Sequence, residues 1–259
     1  MARPEVPRRW RAATTDLLAP LGIVTERFTA ETTAAAPEPV QRLFAATIAP
    51  GTPLARAVRL SIRGEIRLGG RWRRFRSQEV LDPVRGLVWW GRVAGIVRGG
   101  DCAVDGTGRL EWRLLGLRRV AFAEGPDVVR SGTARAFAEG CLWAPTAVLP
   151  GPEVRWTADD DHHVTASTDT AHDAVVHRIT LDDDHRITAG VFDRWGDPDD
   201  SGTPALHPFG GEVSAWSTFG GVTVASRGAV GWWYGTDRWP DGEFFRYEID
   251  GYQLLHTSD

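Results

Sequence analysis

The sequence predicts a mainly β protein: one large antiparallel sheet, curled and unclosed, with a few short helices, one of them central. Three observations predict it. Apolar and polar residues alternate over 59–68, where Leu60, Ile62, Ile66 and Leu68 interleave with Arg59, Ser61, Arg63, Glu65 and Arg67. Similar runs recur toward the C-terminus, broken by Gly- and Asp-rich turns, without the strand–helix–strand rhythm of a parallel sheet. Among them lies one stretch of helical spacing, ARAFAEGCLWAP. There Arg135, Glu139 and Trp143 fall at i, i+4 and i+8 beside an apolar stripe of Phe137, Ala138, Cys141 and Leu142.

Residues 1–36 read as a lead segment ending in TAETTAAAPEP, and 37–259 as a single domain. The apolar run near the start is cut by Pro20 and has no small-residue cleavage site, so it is no secretion signal, and Trp10–Val24 is expected to be a docking helix or a loose tail rather than an amphipathic membrane contact. Pro39 opens a short helix carrying Val40, Leu43, Phe44 and Ile48, stopped at Pro50-Gly51. Gly69-Gly70 turns the first strand into RWRRFRSQEVL. LVWWGRVAGIV, DCAVDGTGRLEWRLLG and LRRVAFAEG follow as strands. The helix has Thr133 as its expected N-cap and Pro145 as its exit. Strands resume from EVRWTA to FFRYEIDGYQLL. A sheet of about eleven strands curls, and its concave face must be filled. The helix is expected to plug it, burying Phe137, Leu142 and Trp143.

Composition excludes several classes. A net charge of -4 and a pI near 6 give the whole chain no electrostatic footprint for nucleic acid. All 30 basic residues are arginine, which removes lysine Schiff bases, lysine nucleophiles and the P-loop lysine. Cys102 and Cys141, far apart and without a CxxC, make neither a disulfide framework nor a zinc site and read as reduced thiols of a cytoplasmic protein. No apolar run is long enough to span a membrane. GxSxG, HExxH and a complete GxGxxG are missing, so no cofactor and no metal are expected. The acidic runs TADDDHHV, LDDDHRI and GDPDDSG are expected to be chain reversals.

The candidate site residues are polar groups that a filled concave face could use, together with large aromatics. Arg135 and Glu139 either tether the helix or orient a ligand. Arg194 shares a strand face with Phe192, a setting suited to a carboxylate or carbonyl ligand. Asp101 joins these. Trp89, Trp143, Trp156, Trp216, Trp232 and Tyr234 pair apolar bodies with one polar handle each, and serve either as core or as lining for a flat, apolar ligand. In the adjacent pairs Trp89-Trp90 and Trp232-Trp233 one ring points inward and the other outward.

An ordered set of motifs resembles the uncharacterised bacterial family DUF6544, formerly DUF6920. R-x-x-x-E-x-x-x-W-x-P at Arg135, Glu139, Trp143 and Pro145 is similar to its central motif. Gln78 with RGLVWW (85–90), DCAVDGTG with Asp101, Gly106 and Gly108, and downstream Trp156, Arg194 and GGVTVASRGAVGWWYG extend the likeness over about residues 38–252. Leu87, Ala103 and Ala225 depart from the usual Phe, Tyr and Pro, and the two smaller side chains could reshape the interior. The resemblance implies a half-open barrel of the LolA/LolB lipoprotein-carrier type with an apolar interior. It implies no reaction.

The expected function is binding of a hydrophobic small molecule in that interior, as a carrier or sensor. The alternative is a cofactor-free cyclase or isomerase of polyketide- or terpenoid-like substrates, with Glu139 as general acid–base and Arg194 polarising a carbonyl. Nothing in the sequence sets an oligomeric state.

Overall fold

A computed structural model of the protein describes residues 6–256. Six strands run outward from the middle of a single sheet: β1 (Ala57–Leu68), β2 (Arg71–Asp82), β3 (Gly86–Val93), β4 (Val97–Val104), β5 (Thr107–Leu114) and β6 (Arg118–Glu124). Helix α3 (Pro126–Trp143) then carries the chain to the opposite edge. From there β7 (Arg155–Ala158), β8 (His163–Asp169), β9 (Ala174–Leu181), β10 (Ile187–Gly196), β11 (Ala205–Phe219), β12 (Val222–Trp232) and β13 (Glu243–Leu255) step back inward until β13 pairs with β1. The order is β6-β5-β4-β3-β2-β1-β13-β12-β11-β10-β9-β8-β7, antiparallel throughout, with β6 and β7 as free edges. Thirteen strands replace the roughly eleven read from the alternation.

The connection from one edge to the other explains the central helix. Eighteen residues of α-helix span about 27 Å, enough to cross the concave face. The helix starts at Pro126, seven residues before the expected cap at Thr133. Pro126 occupies the first turn after Gly125, where its missing N–H costs nothing, and Thr133 lies mid-helix. Phe137, Ala138 and Cys141 pack toward β7–β10 and toward α2 (Glu38–Thr47), which supplies Val40, Leu43 and Phe44. Ala136 and Trp143 pack the other way, on Leu60, Leu87 and Trp89. Trp143 donates its Nε1–H to the Ala225 carbonyl at 2.9 Å and meets the Tyr247 ring edge-on at 5.2 Å.

The convex face carries its own cluster. Helix α1 (Arg11–Leu18) and the preceding Trp10 lie on Val80, Val88, Trp90 and Cys102. Trp89 therefore points inward and Trp90 outward beneath α1, and both are buried. Gly69 and Gly70 have φ of 56° and 73°, the paired left-handed conformation of a two-residue hairpin turn. In the acidic turns, Asp160, Asp182 and Asp197 accept backbone N–H groups of residues two to five positions on.

Candidate functional site

Between α3 and the concave sheet lies a cavity of about 270 Å³. Its wall is largely aromatic and aliphatic, with Trp89, Trp112, Trp143, Phe192, Phe209 and Phe245 among its members. The polar members come from six elements, β11 and β13 contributing Glu212 and Tyr247. Helix α3 supplies Arg135 and Glu139, β4 supplies Asp101, β9 supplies His177 and β10 supplies Arg194.

Arg135 is committed to carboxyl groups. Its Nε donates to Glu139 Oε1 at 2.7 Å and its Nη1 to Asp101 Oδ2 at 2.7 Å, while Nη2 reaches Glu79 Oε1 at 3.4 Å. Desolvation pulls its pKa down, but Glu139, Asp101 and Glu79 together outweigh that and hold it above arginine's ordinary value. Glu79, wholly buried on β2, is pushed toward its neutral form. Burial raises its carboxyl well above the usual range, and the nearby charge of Glu139 raises it further. Burial thus favours the neutral form of Glu79, and Glu79 Oε2 and Glu139 Oε2 have no protein partner among the described residues.

Arg194 stands apart. Its Nε donates to Ser131 Oγ on α3 at 3.0 Å, and its guanidinium lies 4.5 Å from the centre of the Phe209 ring. It forms no salt bridge with a carboxylate among the described residues. Desolvation, and then the like charge of Arg135, lower its pKa to about 10, so it stays cationic at neutral pH. His177 is buried against Phe192, and desolvation lowers it to about 3, which keeps it neutral. Gly190 makes that packing possible, because a Cβ there would sit 2.4 Å from His177 Nε2. Tyr247 completes the polar set with a buried hydroxyl that has no partner among the described residues.

The model of a family of unknown function, DUF6544, matches residues 26–244. The chain belongs to DUF6544. No curated protein matches this DUF6544 chain. Among solved structures it is similar to an outer membrane lipoprotein-sorting protein domain from Vibrio parahaemolyticus, at 10% identity and TM-score 0.46 over 89% of this chain and 95% of that one. It is also similar to a DUF1329 family protein from Desulfovibrio piger (8%, TM-score 0.43, 77% and 86% covered). A third is a LolA superfamily protein from Nitrosomonas europaea (10%, TM-score 0.42, 79% and 87%). Likeness at this level carries nothing about ligands.

Of the residues singled out in the sequence, Trp89, Asp101, Arg135, Glu139, Trp143 and Arg194 meet at the cavity of this DUF6544 protein. The others lie elsewhere. Trp156 packs on Phe44 and donates to the Val148 carbonyl, and Trp216 donates to the Ile187 carbonyl under Arg186. Trp232 packs on Phe209 behind the wall, and Tyr234 stacks edge-on with Trp239. Neither Ala103 nor Ala225 lines the cavity. Ala103 instead lets α3 approach at Gly132, where an added Cβ would sit 2.4 Å from the Ala103 methyl. Glu79, His177 and Tyr247 were missed. Each sits in an alternating strand run, and only a polar residue on an otherwise apolar face marked them.

Proposed function

We propose that this DUF6544 protein binds one compact, largely apolar small molecule that carries a carboxylate or carbonyl, as a carrier or sensor. The observation that supports this reading is Arg194, a cation at an aromatic-walled cavity whose terminal nitrogens make no hydrogen bond among the described residues while Arg135 beside it is saturated by carboxyl groups. The volume lies just under the roughly 300–1,000 Å³ typical of small-molecule sites, so the occupant is compact rather than multi-chained. Among the described residues no helix is long and apolar enough to cross a membrane. Buried, unpaired Cys102 and Cys141 suit the reducing cytoplasm.

The test is native mass spectrometry of the purified protein after exposure to a small-molecule extract. The expected result is a stoichiometric adduct released unchanged, with retention weakened about tenfold or more by Arg194→Met. A panel of extracts that leaves no adduct and no thermal shift would sink the proposal. Glu139 at the cavity wall, with its Oε2 unpartnered among the described residues and the buried Glu79 beside it, favours one second reading, a cofactor-free isomerase or cyclase with Glu139 as acid–base group. Its mark would be depletion of a compound with a product of equal mass, abolished by Glu139→Gln.

A further inference from the structure

The whole-chain charge conceals a division. Residues 57–124, which make up β1–β6 and their turns, carry 14 arginines against 7 carboxylates, a formal +7, so the rest of the chain sums to -11. Strand register concentrates that charge. Arg63 lies directly opposite Arg76, Arg76 opposite Arg92, Arg92 opposite Arg98, Arg98 opposite Arg113 and Arg113 opposite Arg119. Six arginines thus form one row across six neighbouring strands, about 24 Å wide at the usual strand spacing. The row lies on the convex face, since Arg92 shares its strand face with Trp90 under α1.

Its ends are neutralised. Arg63 pairs with Glu248, and Arg113 and Arg119 with the buried Glu111. Arg76, Arg92 and Arg98 in the middle are exposed and have no carboxylate partner among the described residues. Two open grooves share Arg76 and Arg92 in their walls. Like charges directly opposite one another destabilise a sheet. Edge protection does not explain them either, because β2, β3 and β4 are interior strands.

The adjoining end of the sheet is apolar. The β1–β2, β3–β4 and β5–β6 turns all lie at that end of the meander and present Leu68, Ile96, Leu115 and Leu117, the last two 65% and 79% exposed. Ile96 and Leu115 are two residues from Arg98 and Arg113, about 7 Å along the strand and within arginine's reach.

We propose that this end of the sheet docks on an anionic lipid bilayer, the turn leucines entering the interface and the arginine row meeting the phosphates. Apolar tips joined to a basic band are the combination that adds buried apolar area to electrostatic attraction at a membrane surface. A nucleic acid would use exposed rings for stacking, yet Trp90 beneath the row is buried, Trp72 is covered by Arg246, and Phe122 on the edge strand lies under the Arg119 guanidinium. The proposal stands independently of what the cavity binds.

The test is sedimentation of the full chain with phosphatidylcholine vesicles, with and without phosphatidylglycerol. Binding is expected only to the anionic vesicles and is expected to weaken with salt. The triple variant R76Q/R92Q/R98Q is expected to lose on the order of a hundredfold in affinity. Leu115→Ser with Leu117→Ser is expected to lose about tenfold or more. The arginine variant should melt no lower than the parent, which separates lost docking from lost folding. Equal binding to neutral vesicles, no binding to either, or full binding by the triple variant would overturn the proposal. So would capture of single-stranded DNA by a chain that ignores vesicles.

Discussion

On the concave face of β2–β5, Arg135 from α3 meets Glu79, Asp101 and Glu139, and its charge is satisfied largely out of solvent. On the convex face of the same strands, Arg76, Arg92 and Arg98 stand in register, exposed and without carboxylates among the described residues. The backbone is shared, so the difference lies in the side-chain parity of each strand and in what covers each face. A buried cation gains from counter-charges, because desolvation disfavours its charged form, and Arg194, which forms no salt bridge among the described residues, has its pKa lowered for that reason. An exposed one is tolerated without them, because solvent and salt screen it. Substitutions at Arg135 and its carboxyl partners are therefore expected to act through folding, and those in the outer row through partners.

The largest expected effect belongs to Trp143→Ala. It removes a ring packed between α3 and the sheet together with its bond to the Ala225 carbonyl, and should cost about 3–5 kcal/mol by denaturant titration. A melting temperature within a degree of the parent would show that α3 does not fill the curl. Arg135→Met follows, at about 3 kcal/mol, since it leaves Asp101 and Glu139 facing each other with their shared cation gone. A neutral or stabilising outcome would mean that the carboxyl cluster takes up protons instead, and proton uptake measured on folding would reveal it.

The pH dependence sharpens the same contrast. His177 has its folded pKa depressed to about 3 from 6.5, so the folded state resists a proton that the unfolded chain accepts. Stability is fully present above 6.5 and falls by about 1.4 kcal/mol per pH unit below it, until the folded value is reached. Glu79 has the opposite sign. Its raised pKa means that stability present below 4.5 is lost as pH rises toward the folded value. His177→Gln should flatten the acid limb and Glu79→Gln should raise stability at neutral pH, both read from melting temperature against pH. Parallel profiles for parent and variants would refute the assignment.

Much of this was legible in the sequence. Period-two alternation marked β1, and the four-residue spacing of Arg135, Glu139 and Trp143 placed all three on one side of α3, because helical neighbours are also spatial neighbours. Arg194 was found by its parity with Phe192. Partners brought by long-range register were not legible. Glu79 reaches Arg135 across 56 residues, and no local pattern shows that β2 and α3 face each other. The arginine row has the same origin. Arg63, Arg76, Arg92, Arg98, Arg113 and Arg119 are spaced irregularly along the chain and become a line only when hairpin registers are fixed, while the net charge of -4 sums over both arms and hides it. The tryptophans divided for a related reason, since burial alone cannot tell Trp156 in the core from Trp89 at the cavity wall.

The smallest effect tests the outer face by its sign. Arg92→Gln relieves repulsion from Arg76 and Arg98 directly opposite it, and should stabilise the fold by up to about 0.5 kcal/mol at low salt. Arg113→Gln in the same row should do the reverse, because it removes a partner from the buried Glu111. Raising the salt concentration should erase the gain at Arg92, which rests on exposed charges, and leave most of the loss at Arg113, which rests on a buried one. If both variants destabilise equally at every salt concentration, the row is held by packing of arginine stems rather than opposed by charge. Its persistence would then need no partner to explain it.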